Sequence, residues 1–144
     1  MPFNTTIPDS TLRRLRTKFA AGTTAWRGLR AGRERPSDPG DFGIGRYHTS
    51  RKTRAKNYGT PQQLPIRFSN PLILTTDEAY TQIADRFGTI SGIAGHPEHG
   101  AGDFAPRKQR ATEATARMIA EGYDGVVAVN PKWSELEIVV FPQL

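Results

Sequence analysis

The spacing of apolar residues along the chain predicts four helices. Ser10 is the predicted cap of the first helix, in which the apolar residues Leu12, Leu15 and Phe19 recur at helical intervals and Gly22 supplies a stop. Three more segments show the same kind of pattern, with Ser50 and Thr76 as predicted caps of the first two and Pro106 opening the third. These helices are predicted over residues 50–58, 77–87 and 106–121.

Short apolar runs bounded by Gly, Pro, Asn or Asp predict strands between these helices. Residues 31–45 and 89–105 are rich in Gly and Pro and are predicted to be loops. Helices and strands do not alternate regularly, which is typical of an α+β protein. A length of 144 residues, without repeats or a long linker, predicts a single domain, 1–144. The strands are predicted at 23–29, 46–49, 63–69, 71–75, 124–129 and 135–141.

Composition narrows the possible chemistry. The chain has no cysteine, which excludes disulfides, thiolate catalysis and Cys-based zinc sites. No apolar run reaches the roughly 18 residues of a membrane helix, and the first residues do not resemble a signal peptide. We therefore expect no membrane partner, and a protein that acts in the cytoplasm or is delivered into the cytoplasm of a target cell.

Positive charge is concentrated in the first part of the chain, including a basic N-terminal helix within residues 1–22. Residues 1–56 hold 13 Lys and Arg against 4 Asp and Glu, whereas residues 57–144 hold 7 against 10. This asymmetry favours an anionic partner such as NAD phosphates, nucleic acid or an acidic protein. A solvated basic surface is the alternative.

Three short segments carry residues suited to catalysis or binding. Arg27 lies in the apolar run AWRGL, where burial requires an anionic partner, either a ligand or a core carboxylate. Tyr47 and Tyr58 are eleven residues apart and could stack on a ligand or simply belong to the core or its rim. Glu135 and Glu137 are two apart on a strand and share a face, where solvation is the alternative to catalysis.

Together these segments resemble the ADP-ribosyltransferases, including the poly(ADP-ribose) polymerases. GRYHTSRKTRAKNYG looks like the family segment that runs G-x-Y-F-(A/T), a short helix and A-x-x-Y. WRG looks like the family's first strand, and GYDGVV with ELEIVVF looks like its last pair of strands. The resemblance covers a core of residues 24–141. It implies two small packed antiparallel sheets with peripheral helices.

The resemblance implies how NAD is bound as a substrate. The guanidinium of Arg27 would bind the phosphates or the adenosine ribose, and the backbone of Gly28 would bind the carboxamide. A hydroxyl of the second segment would support the strand that carries Glu137. His48 stands where the family has an apolar or small residue. The middle motif residue is therefore left open among Tyr47, Thr49 and Ser50. The NAD-binding residues implied are Arg27, Gly28, Tyr47, Thr49, Ser50 and Tyr58, with the two tyrosines enclosing the nicotinamide.

The resemblance also implies the reaction. Cleavage of the bond between nicotinamide and ribose produces an oxocarbenium-like sugar, which a nearby carboxylate stabilises. Glu137 would supply that carboxylate, and Glu135 would face the incoming nucleophile. Nicotinamide leaves as a neutral ring. The expected protein is a toxin-like mono-ADP-ribosyltransferase with a macromolecular acceptor, protein or nucleic acid, and with an immunity or antitoxin protein as a further partner.

Two alternative functions stay open. The same pocket could serve an NAD glycohydrolase or phosphorylase, with water or phosphate as acceptor. A basic nucleic-acid-binding module without catalysis is the second alternative. The segment that contains His96, His99 and Asp103 could bind a metal, but its Gly and Pro content favours a plain loop, so no metal is expected.

Overall fold

A computed structural model describes residues 3–29, 38–40, 42–87, 104–132 and 134–142. The order of helices and strands is that of an α+β protein, as the sequence predicts. A short 3-10 helix, Lys56–Tyr58, directly follows the second α-helix. The helices are α1 (Asp9–Ala21), α2 (Lys52–Ala55), α3 (Thr76–Phe87) and α4 (Phe104–Ala120). The strands are β1 (Thr23–Leu29), β2 (Asp38–Gly40), β3 (Gly43–Thr49), β4 (Thr60–Ile66), β5 (Pro71–Thr75), β6 (Gly125–Asn130) and β7 (Glu135–Val140).

The described strands form one sheet rather than the two that the resemblance implies. Six of them lie in the order β4-β1-β3-β7-β6-β5, and β2 pairs with β3 off this path. All pairs are antiparallel except β5 with β6. A parallel pair requires a crossover connection, and α3 and α4 lie in the chain between these two strands.

Both faces of the sheet bury apolar side chains, and alternation along each strand separates them into two cores. In β6, Val126 and Ala128 belong to the first core and Val127 to the second. Helices α3 and α4 cover the first core, and α1 covers the second through Leu15 and Phe19. The described helices are all too short or too polar to cross a bilayer.

Helix ends show where the sequence patterns misplaced a cap. Ser10 lies inside α1, whose N-cap position is Pro8 without a side-chain cap. Thr75, one residue before the predicted Thr76, caps α3 by accepting a hydrogen bond from the backbone N–H of Glu78 at 3.2 Å. The Glu78 carboxylate accepts one in return from Thr75 N–H at 2.9 Å, so the two residues form a capping box.

Glu78 also ties the segment before α1 to α3. Its carboxylate accepts hydrogen bonds from the hydroxyl of Thr5 at 2.8 Å and from the backbone N–H of Thr6 at 2.7 Å. Partial burial alone would raise the pKa of Glu78, but the hydrogen bonds from Thr75, Thr5 and Thr6 outweigh it and lower the pKa below its ordinary value. The carboxylate is therefore the form that holds this junction together.

Candidate functional site

The three segments singled out in the sequence lie on three neighbouring strands in the middle of the sheet. In β1, β3 and β7, Trp26 pairs with Thr49 and Thr49 pairs with Glu137. Directly opposite residues in antiparallel strands point to the same face, with Cβ atoms about 4.5–5.5 Å apart. We call the sheet face that carries these three residues the glutamate face. Segments far apart in the chain thus meet in one row of side chains.

Glu137 lies next to buried apolar side chains on the glutamate face. Its partner in β6 is Ala128, which is fully buried in the first core. Val139, two residues further along β7, is also fully buried there. Glu137 itself is half-buried. A carboxylate between core and solvent exerts a stronger field on a nearby positive charge than a fully hydrated one would.

Glu135 lies on the same face, about 7 Å along β7 from Glu137 at the usual rise of a strand. Its carboxylate forms a salt bridge with Arg54 of α2, with 3.3 Å and 3.5 Å between Arg54 Nε and the two carboxylate oxygens. This contact links the first residue of β7 to α2.

Ser50 forms two hydrogen bonds with β7 at Leu136, the residue between the two glutamates. Its hydroxyl accepts a hydrogen bond from Leu136 N–H at 2.8 Å, and its own N–H donates to the Leu136 carbonyl at 3.0 Å. Ser50 is not the helix cap predicted for it, because Arg51 occupies the N-cap position of α2. Support of the strand is the contact that the resemblance implies for Thr49 or Ser50; orientation of Glu137 by either hydroxyl stays a prediction.

Gly28 is where α2 and the 3-10 helix press against β1. A Cβ atom at this position would lie 2.9 Å from Gly59 N and from Tyr58 C, and nearer still to the carbonyl oxygen of Ala55. All three are backbone atoms that cannot swing away. The W-R-G segment therefore needs a glycine for packing, whether or not its backbone also binds a ligand.

The two tyrosines lie in different settings. Tyr47 is half-buried against the first core, and its hydroxyl accepts a hydrogen bond from Phe42 N–H at 3.1 Å. Tyr58 ends the 3-10 helix with 64% of its surface exposed. Only Tyr58 thus presents an uncovered ring, and enclosure of nicotinamide between the two rings stays a prediction.

Arg27 lies on the other face of the sheet. It follows Trp26 directly in a strand that pairs residue for residue with β4, so its side chain points away from the glutamate face. His48 occupies the same opposite face, next to Thr49 in β3, and the charge of Arg27 acts on its imidazole. The structure therefore groups Arg27 with His48 and does not place it beside Glu137.

Burial disfavours the charged form of His48 in the folded protein. It is 5% exposed, and burial lowers its pKa, with the positive charges of Arg27 and Arg46 acting in the same direction. Hydrogen bonds with the backbone oppose the shift, including one from Nδ1 to the Arg46 carbonyl oxygen at 3.0 Å, but the net pKa stays below the ordinary 6.5.

The shift makes stability depend on pH. Unfolded histidine takes up a proton below about pH 6.5, whereas folded His48 resists it, so we expect the free energy of unfolding to fall as pH drops. Each pKa unit of difference is equivalent to about 1.4 kcal/mol. Urea unfolding at pH 7.5 and 5.5 should show a smaller pH-dependent loss in His48→Phe than in the wild type. Equal losses in both proteins would contradict this account.

Three residues that lie on or next to the glutamate face were not predicted as site residues from the sequence, namely Trp26 of β1 and Lys52 and Arg54 of α2. Lys52 lies with Nζ 5.2 Å from the centre of the Trp26 ring, so both border the row that contains Glu137. Arg54 joins Glu135, as described above. Period-two alternation could have indicated Trp26, since it assigns Trp26 and Gly28 to the face opposite Arg27. Nothing in the sequence could have paired Arg54 with a residue 81 positions away.

A metal site finds no support in the described part of the chain, where no group of three His, Asp or Glu side chains could hold an ion. His96, His99 and Asp103 lie outside the described residues. Comparison of the chain with protein-family models, with curated proteins and with solved structures gave no match in any of the three.

Proposed function

We propose that this chain is a mono-ADP-ribosyltransferase that uses NAD as a substrate, transfers ADP-ribose to a macromolecular acceptor and releases nicotinamide. The main support is the row Trp26–Thr49–Glu137, because the three segments that resemble the family occupy three adjacent strands in one register. The proposal rests on this arrangement of the three segments within the single sheet of the described strands.

Glu137 is the residue to which we assign bond cleavage. The leaving nicotinamide is neutral, so the reaction needs no strong acid and depends on stabilising positive charge at the ribose. A half-buried carboxylate beside an apolar core is suited to this, since the charge is less screened by water there. Ser50 holds the backbone of the strand at Leu136, one residue away from Glu137.

The remaining parts of NAD are assigned along the same face. Tyr58 offers an exposed ring for nicotinamide, and the Gly28 backbone lies next to the helical turn that carries it. For the pyrophosphate we favour Lys52, which lies beside Trp26 on the glutamate face, over Arg27, which lies on the opposite one. Arg27 would then have no contact with the phosphates, and its charge would instead help to lower the pKa of His48.

Glu135 is assigned to the acceptor. It already holds one guanidinium, that of Arg54, and a carboxylate that binds a guanidinium can also orient an acceptor arginine. We expect Glu135→Gln to abolish labelling of the acceptor while slow release of nicotinamide into water persists. Nicotinamide release and transfer of label from NAD are measured on the same samples.

Arg54→Gln is the matched control, because it breaks the same salt bridge and leaves the Glu135 carboxylate in place. Retained labelling in this variant, with loss in Glu135→Gln, would show that the carboxylate itself is required. If both variants lose labelling equally, the salt bridge matters rather than the acceptor role. If neither loses it, Glu135 has no part in the transfer and serves only the salt bridge to Arg54.

The experiment that tests the proposed function as a whole uses NAD labelled in the ADP-ribose part and a bacterial lysate. Protease and nuclease treatment then divides the label between protein and nucleic acid acceptors. Release of nicotinamide without any macromolecular label would favour a glycohydrolase that uses the same site. Absence of both nicotinamide release and label would refute the proposed function.

A further inference from the structure

Helix α1 presents a stripe of cations and hydroxyls on its solvent side. Leu15 and Phe19 fix its inner side against the second core. On the outer side, residues at positions 10, 13, 14, 17 and 18 follow one another at the spacing of a single helix face and line a shallow depression. We call these five residues, Ser10, Arg13, Arg14, Thr17 and Lys18, the α1 stripe.

The cations of the α1 stripe have no acidic partner within the described residues. Arg13, Arg14 and Lys18 are exposed, and none of their side chains makes a hydrogen bond or salt bridge to the described part of the chain. Two further cations lie beside them. Arg16 is exposed on the same helix, and Arg67 is held at its end by a hydrogen bond from Nε to the Ala20 carbonyl oxygen at 2.9 Å.

We infer that the α1 stripe binds the phosphate backbone of duplex nucleic acid. Arginine donates in a planar fork that matches phosphate oxygens, and the hydroxyls of Ser10 and Thr17 add neutral donors. The stripe spans about 12 Å of helix axis, which is long enough to contact more than one phosphate of the same strand. It lacks aromatic residues, so it is suited to a duplex backbone rather than to stacking on single-stranded bases.

Two other anionic partners fit this surface less well. A membrane-bound helix inserts an apolar side into the lipid, but the apolar side of α1 already covers the sheet through Leu15 and Phe19. An acidic protein would meet a surface with no apolar centre, whereas protein–nucleic acid interfaces are more polar and more positively charged. Because α1 lies across the sheet from Glu137, this inference does not rest on the proposed enzymatic function.

The test compares two double variants of the full chain that lose the same charge. R13Q/R14Q removes two arginines of the α1 stripe, and R110Q/R117Q removes two exposed arginines of α4. Binding to a 20-base-pair DNA duplex is measured by fluorescence anisotropy between about 50 and 200 mM salt. The slope of log affinity against log salt is negative, and each lost phosphate contact reduces its steepness by about 0.9.

We expect the negative slope to become shallower by about 1.8 in R13Q/R14Q and to stay unchanged in R110Q/R117Q. Equal slopes in the two variants would overturn the inference, because binding would then follow net charge alone. It would also be overturned by absence of duplex binding in the wild type at 50 mM salt, or by equally tight binding of polyglutamate. Nicotinamide release from NAD should be the same in R13Q/R14Q as in the wild type, so loss of duplex binding and loss of enzymatic activity are separate results.

Discussion

Replacing Glu137 with glutamine should stop the release of nicotinamide from NAD while the fold is retained. The substitution keeps the size of the side chain and removes the negative charge that we assign to stabilising the ribose cation. Loss of one such electrostatic group typically lowers turnover by about two to three orders of magnitude. Turnover is measured as nicotinamide release at saturating NAD, and NAD binding by calorimetry should change little.

The matched control is Glu113→Gln on the exposed side of α4, which makes the same chemical change away from the glutamate face. This variant should retain wild-type turnover. If Glu137→Gln also has a much lower melting temperature, so that unfolding explains its loss of activity, Glu137 has a structural role. Full activity in Glu137→Gln would remove it from the chemistry altogether.

Replacing Gly28 with alanine should damage both stability and the candidate site. The added methyl group would overlap the Ala55 carbonyl and crowd the backbone of Tyr58 and Gly59. Overpacking of this kind costs about 1–3 kcal/mol, and relief would require α2 and the 3-10 helix to move away from β1. Since Tyr58 and Lys52 belong to those helices, we expect weaker NAD binding as well as a lower free energy of unfolding.

Gly22→Ala provides the comparison for this variant. A methyl group at Gly22 would meet nothing within 4 Å, but its φ of 100° disfavours alanine, so some stability is lost through the backbone alone. Both variants should unfold at lower urea concentration than the wild type. Only Gly28→Ala should lose NAD binding at temperatures where both are folded. Identical NAD binding in the two variants would separate Gly28 from the site.

Local patterns were sufficient for much of the secondary structure. The strands 23–29 and 71–75 are confirmed at both ends, and the predicted helix over 77–87 starts one residue late. Strand β2 was missed because Asp38–Gly40 reads as a turn in isolation and becomes a strand only by pairing with β3. The start of β3 was missed for a related reason. Gly45 looks like a loop residue, but a Cβ there would lie 2.5 Å from the Val140 carbonyl oxygen of β7.

The candidate site could be predicted only as far as spacing within one strand allows. Two residues apart on β7, Glu135 and Glu137 had to share a face, and they do. Whether Arg27 shared that face depended on the register between β1 and β3, which no short segment encodes. The pairing of Trp26 with Thr49 decides this and places Arg27 on the opposite side. Contacts across strands thus determine which motif residues can act together.

The position of β7 in the sheet has a consequence for biosynthesis. Both of its neighbours, β3 and β6, precede it in the chain, so the sheet stays divided between them until β7 has left the ribosome. Until then, the unpaired edges of β3 and β6 are open to pairing with other chains. The strand that closes this gap also carries Glu137 and Glu135. In the proposed mechanism, the nascent chain cannot consume NAD before β7 has paired with β3 and β6.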